Sequence, residues 1–371
     1  MLKRFEVTNF KGFKDTLVFD LSARDYAFNP GIVKNGLVNK AIIYGKNGIG
    51  KSSLGIALFD IVAHLTDKER MNKKYLQNYR NMYSGRAAVI FKYYFQFDND
   101  EIVYEYVKIN QDTLVYETLT INDKIVVDYW FDADKDEEQF VDRSLVGDLN
   151  IDLPDNRLSI VKYIYRNTPT NTVPGITKVV KFCENMLWYR SLSDGNSFSG
   201  FTNGGSKLSE MLYQNGKVEE FAEFLKENGL EYKLAFEERD GEHILMALFN
   251  EGKSKVPFSS VASTGTAALY LFFAWSAAAF DQISLLFIDE FDAFFHYESA
   301  ESIVKRLNSA QNFQTILTTH NTYLMQNKLT RPDCCYIMTK NKINNLYEAT
   351  DKEIREAHNL EKMYINGAFR D

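Results

Sequence analysis

The stretch "IIYGKNGIGKSS", residues 42 to 53, runs two apolar β-formers into a loop with glycines at 45, 48 and 50, then presents Lys51, Ser52 and Ser53. Glycine tolerates positive φ and lets a ligand approach the main chain closely, so this spacing suits backbone amides wrapped around an anion. Residues 45 to 52 fit the pattern GxxxxGK[ST]. In that pattern Gly45, Lys46, Asn47, Gly48, Ile49 and Gly50 cradle phosphates at a helix N-terminus, Lys51 pairs with the β and γ oxygens, and Ser52 ligates magnesium. Ser53 stands where the dinucleotide fingerprint GxGxxG needs its third glycine, which removes that rival. The ligands implied are ATP and Mg2+.

A second run, "SLLFIDEFDAFFH", reads as a buried strand, Leu285 to Ile288, ending in Asp289 and Glu290. Adjacent carboxylates at a strand end are costly without a purpose. Asp289 is suited to hold the magnesium, and Glu290 to polarise the attacking water as general base. In "TILTTHNTYLM" a further strand leads to Thr318, Thr319 and His320, with His320 in position to sense a γ-phosphate. The expected catalytic groups are therefore Lys51, Glu290 and His320, and the expected metal ligands Ser52 and Asp289.

These groups need a scaffold, and 371 residues with 45% hydrophobic content suffice for one large or two medium domains. Residues 1–131 open with alternating strands, pass through the loop into an amphipathic helix, and continue as four β-rich runs, "AAVIFKYYFQF", "EIVYEYVKI", "TLVYETLTI" and "KIVVDYWF", which predict an antiparallel meander. Residues 132–230 begin with the acidic "DADKDEEQFVD", include the helix-like "TKVVKFCENMLWYRSL" and "KVEEFAEFLKENGL", and read as an inserted, mainly helical arm. Residues 231–371 alternate hydrophobic strands with helices, as an α/β layer with a parallel sheet requires. The apolar run Ala267 to Phe280 is too short to span a bilayer and predicts a buried helix. With no signal-peptide pattern at the N-terminus, a cytoplasmic location is expected. Cys183, Cys334 and Cys335 offer neither a disulfide framework nor metal-ligand spacing. The sequence has no HExxH, GxSxG or Cys/His cluster, so ATP hydrolysis is the only chemistry it displays.

Taken together, these motifs resemble the ABC ATPase superfamily, and within it the heads of the SMC, RecF and overcoming-lysogenization-defect proteins. The opening "LKRFEVTNFKGFKDTLVFDL" looks like that family's first strand and turn, which implies that Asn9 and Lys11 lie beside the nucleotide. In "VASTGTAAL", Ser263 and Gly265 match the signature serine and glycine that bind γ-phosphate in trans, although Thr264 and Ala268 depart from the transporter pattern. Asp292 falls in the segment that crosses the dimer interface in such proteins. The fold implied is an α/β ABC ATPase head, with a mixed or parallel P-loop sheet, an antiparallel β-subdomain and a helical insert. With its C-terminal "LEKMYINGAFRD", the chain is most similar to bacterial abortive-infection ATPases of the AbiLi and AriA sort. That resemblance implies a homodimer or higher oligomer with ATP between the heads, no membrane, and control of a separate effector, often of TOPRIM type, in antiphage defence. The alternative is a RecF-like genome-maintenance ATPase that binds DNA.

A net charge of −7 argues against a surface that binds nucleic acid throughout, but "KERMNKKYLQNYRNMYSGR" concentrates Lys68, Arg70, Lys73, Lys74, Arg80 and Arg86 with Tyr75, Tyr79 and Tyr83. Basic charge interleaved with aromatics suits phosphate contact and stacking on DNA. A solvated helix with its tyrosines packed on the core explains the same pattern. The acidic run from Asp132 to Asp142 reads as solvated.

Overall fold

The computed structural model describes residues 1–68, 77–131, 139–153, 155–190, 198–199 and 208–369. Arg70, Lys73, Lys74 and Tyr75 of the basic stretch, most of the acidic run and most of the loop at 191–207 lie outside these residues.

The meander predicted from alternating β-formers is present as Val89–Phe97, Asp100–Lys108, Leu114–Ile121 and Lys124–Trp130. Each pairs antiparallel with the next, and Leu2–Thr8 and Leu17–Asp20 extend the sheet beyond Val89–Phe97. Strand period sends alternate residues inward, so Phe91, Tyr93 and Phe95 face the core with Ile102, Tyr104 and Tyr106. Asp98, Asn122 and Asp123 take positive φ at the tight connections, as such turns require.

A second sheet carries the motifs. Its spatial order among the described residues is Phe198–Ser199, Met186–Arg190, Leu285–Asp289, Gln314–Thr319, Lys40–Tyr44, Cys335–Met338 and Ile343–Asn345. The five central strands are parallel and the two edges antiparallel, so the sheet is mixed. Lys40–Tyr44, Leu285–Asp289 and Gln314–Thr319 are buried along their whole length, so their apolar residues show no alternation between faces. The fold is α/β.

Between the two sheets lie the helices Lys51–Leu58 and Asp60–Leu65, in a core that includes Phe5, Phe91, Tyr93, Trp188, Phe287 and Ile316. The other face of the mixed sheet is covered by the helices Val218–Glu227, Thr264–Ala279 and Tyr297–Ser309. Phe221, Phe273, Trp275 and Ile303 fill that second core, and the predicted apolar helix is buried there. A three-stranded antiparallel sheet, Lys233–Arg239, Glu242–Phe249 and Ser254–Pro257, precedes it, where the sequence suggested only strands alternating with helices.

Two local expectations differ from the structure. The run "TKVVKFCENMLWYRSL" is helical only through Glu184; Met186–Arg190 is a strand paired with Leu285–Asp289, so part of the expected arm belongs to the central sheet. Residues 77–86 form bends and turns rather than a helix. Tyr79 is buried with its hydroxyl on Asp60, whereas Tyr83 is 88% exposed. The cysteines are buried and unbridged, and burial raises their thiols. No described helix is long and apolar enough to cross a membrane.

Candidate nucleotide-binding site

The loop at residues 45–50 joins the strand Lys40–Tyr44 to the helix Lys51–Leu58. A Cβ on Gly45 would meet the Met338 carbonyl at 2.8 Å, and Gly50, at φ 113°, brings its α-carbon against the Phe13 ring. Both positions therefore demand glycine, one for space and one for backbone conformation. Ile49 folds inward over Gly45, leaving Lys46, Asn47 and Gly48 exposed at the rim. Lys51 reaches back across the loop, its Nζ donating to the carbonyls of Gly45 at 2.8 Å and Lys46 at 3.1 Å, and lying 2.9 Å from His320 Nε2. Burial lowers the Lys51 pKa, against the attraction of Asp289, Glu290 and Asp292. Burial and the neighbouring Lys51 charge hold His320 below its usual pKa, which favours the neutral imidazole.

Asp289 ends its strand fully buried, and burial raises its carboxyl above the ordinary range, offset by hydrogen bonds from Ser52 and Thr318 and by the Arg190 charge. The Thr318 hydroxyl donates to Asp289 Oδ1 at 2.7 Å, while Oδ2 is buried without a hydrogen-bond partner. An orphaned carboxylate oxygen beside the Ser52 hydroxyl fits a hard cation. Among the described residues no three acidic, histidine or cysteine side chains form a group that could hold a metal ion. Glu290 follows at φ 51°, unusual for a residue with a side chain, and its N–H donates to Thr318 Oγ1 at 2.8 Å.

Lys51, Ser52, Asp289, Glu290 and His320 thus converge at the C-terminal ends of three adjacent parallel strands, where open α/β sheets place ligands. Ser53 sits beside Ser52 in the first turn of the helix. Ser263 caps the helix Thr264–Ala279, its Oγ accepting from the Thr266 N–H at 3.2 Å. The Ser263 residue is exposed, and a Cβ on Gly265 would meet the Phe294 carbonyl at 2.8 Å.

Asn9 and Lys11, expected beside the nucleotide, both bond main-chain carbonyls of the segment 77–88. Asn9 is fully buried and its amide donates to the carbonyls of Arg86 and Ala88, while Lys11 Nζ donates to the Gln77 carbonyl. It is Phe13, from the same turn, that meets the phosphate-binding loop. Asp292 accepts from the Thr319 hydroxyl at 2.7 Å. The sequence reading missed Arg190: its Nη2 lies 2.8 Å from Glu290 Oε2 and its Nε 3.5 Å from Asp289 Oδ2. The only available signal was a basic residue ending an apolar run.

The family model described as "AAA domain, putative AbiEii toxin, Type IV TA system" matches residues 40–326. The chain belongs to this family. The match takes in the glycine loop, the carboxylate strand and His320 of this AAA-domain protein. No curated protein matches it. Among solved structures it is similar to the SMC head domain from Thermotoga maritima, at 14% identity and a TM-score of 0.43, covering 93% of this chain and 98% of that one. It is also similar to an Smc head domain with an extended coiled coil, bound to the C-terminal domain of ScpA derived from Pyrococcus furiosus. There the identity is 14% and the TM-score 0.44, over 94% of this chain and 97% of that one.

Proposed function

We propose that this AAA-domain protein is a slow regulatory ATPase. Two copies close over ATP and control a separate effector, a nuclease or toxin, in abortive-infection defence against phage. The reading rests on one observation: a glycine-loop lysine, a buried strand-end carboxylate, a neighbouring glutamate and a histidine meet at one sheet edge. The effector role is supported by the toxin and type IV toxin–antitoxin wording of the family description.

On this reading Lys51 exchanges its carbonyl contacts for β and γ phosphate oxygens, where its charge is most useful. Ser52 and Asp289 would hold magnesium, which when bound neutralises phosphate charge. Glu290 orients the attacking water and accepts its proton. His320, kept neutral by burial and by Lys51, offers a hydrogen bond toward the terminal phosphate. Ser263 and Gly265, at the exposed start of their helix, are presented to the nucleotide of a second copy.

Glu290→Gln keeps the volume and hydrogen bonding of the side chain but removes the base. The variant is expected to bind ATP, lose at least about 100-fold in turnover, and double in mass by light scattering when ATP is added. Adding Ser263→Arg should abolish that association without impairing ATP binding. An ATP-bound monomer at every concentration would overturn the two-copy mechanism, and a wild-type protein that binds ATP yet releases no phosphate would overturn hydrolysis.

A further inference from the structure

The strand Met186–Arg190 pairs in parallel with Leu285–Asp289 so that Arg190 lies directly opposite Asp289. Its guanidinium therefore emerges at the same strand end as the two carboxylates. Nη2 is 2.8 Å and Nε 3.2 Å from Glu290 Oε2, and Nε is 3.5 Å from Asp289 Oδ2, the oxygen that has no hydrogen-bond partner. The Asp289 side chain is wholly buried, and those of Arg190 and Glu290 are 24% and 33% exposed. Arginine stays protonated in proteins, so this positive charge cannot be removed by proton loss and can only be displaced. A delocalised cation facing two adjacent carboxylates stabilises them electrostatically, as a divalent ion would, and it stands against the oxygen such an ion needs.

We infer that Arg190 is a resident counter-cation: a positioning residue that holds Glu290 and screens Asp289, so that magnesium must compete with it. This rests on the reading that Ser52 and Asp289 receive magnesium. The coupling has a second side. Binding that displaces Arg190 from Asp289 loosens its hold on Glu290, which ties release of the general base to loading of the metal. A reciprocal coupling of this kind has a typical size of roughly 5- to 150-fold in affinity.

The test titrates Mg2+ into the full-length protein with ATP present, reading nucleotide affinity rather than turnover. Thermal melting without ligands is measured alongside. Arg190→Gln keeps polar reach without charge. It is expected to melt below wild type in the absence of ligand, and to bind ATP normally in chelator. Its half-maximal Mg2+ concentration is expected to be about tenfold lower than that of wild type. A purely structural role would lower the melting point and leave that concentration unmoved, and an arginine that recruits the metal–nucleotide complex would raise it; either outcome overturns the inference. If Arg190→Gln does not fold, Arg190→Lys retains charge but loses the two-point hold. It should then shift the midpoint a few-fold in the same direction, and an equal or higher midpoint overturns the inference. Asp289→Asn separates the two readings. If wild type responds to Mg2+ and Asp289→Asn does not, the metal assignment stands whatever Arg190 does. If Asp289→Asn responds like wild type, the metal assignment itself has failed.

Discussion

The oxygen of Thr318 has two partners: its hydroxyl donates to Asp289 Oδ1 and it accepts from the Glu290 N–H. That second bond supports Glu290 at φ 51°, a conformation costing an ordinary residue about 1–2 kcal/mol and persisting where its surroundings impose it. Thr318→Val keeps the shape and removes both bonds, leaving a buried carboxylate oxygen and an N–H unsatisfied. We expect a stability loss of about 1–3 kcal/mol by denaturant unfolding. Turnover should fall roughly tenfold or more, with ATP affinity changing little. An unaltered kcat would show that Glu290 needs no such support. At this scale local spacing was enough to single out Lys51, Ser52 and the Asp289–Glu290 pair, which the structure brings to one sheet edge. The sequence was silent where a side chain is satisfied by chain far away. Thr318 and Thr319 bond Asp289 and Asp292, and the Asn9 amide bonds carbonyls at 86 and 88, contacts that no local spacing announces.

The helix that follows the glycine loop lies against the carboxylate and arginine strands through Gly55. A Cβ there would meet the Phe287 ring at 2.7 Å and Trp188 Nε1 at 3.1 Å. Gly55→Ala therefore overpacks the contact and should cost about 1–3 kcal/mol while tilting the helix end that faces phosphate. Calorimetry should show a lower melting temperature together with weaker ATP binding. A loss of stability alone would mean that the helix start is insulated from its middle. The strand that contributes Trp188 was hidden in the sequence for a physical reason. Met186 and Trp188 enter one core and Leu187 and Tyr189 the other, so both faces are apolar and no alternation marks it. One residue, Asn185, separates it from a helix of similar composition. The meander strands, each wet on one face, showed their period and were read at once.

Across the whole molecule the antiparallel sheet is tied to the helices packed on it through polar groups as well as apolar ones. The Glu117 carboxylate is fully buried and accepts from the Ser159 hydroxyl, the Ile160 N–H and Tyr104, with His64 Nε2 at 2.8 Å. Asp60 nearby accepts from Tyr79 and Tyr106 and pairs with Lys108. Burial, then the Lys108 charge, lowers the His64 pKa below its ordinary 6.5, so the unfolded chain takes up this proton first as pH falls. Burial alone would raise Glu117 and Asp60; hydrogen bonds from His64 and Ser159 to the first, and Lys108 beside the second, outweigh it and bring both below their usual values. All three groups therefore favour the folded state at neutral pH and withdraw that support on acidification. Stability should fall as pH drops below about 6.5, by up to about 1.4 kcal/mol per pH unit for the His64 proton alone. Urea midpoints at pH 7.5 and 5.5 measure it, and His64→Gln should flatten the dependence; equal wild-type midpoints would refute the assignment. The spatial order of the mixed sheet has a further consequence, for synthesis. The strand Lys40–Tyr44 pairs on one side with Gln314–Thr319 and on the other with Cys335–Met338. A ribosome therefore delivers the phosphate-binding loop early and both of its neighbours late, and contacts so distant along the chain close slowly. A chain interrupted before these strands carries the loop on an unpaired strand without the histidine or the carboxylates, so the residues of the candidate site come together only once Leu285–Asp289, Gln314–Thr319 and Cys335–Met338 have been made.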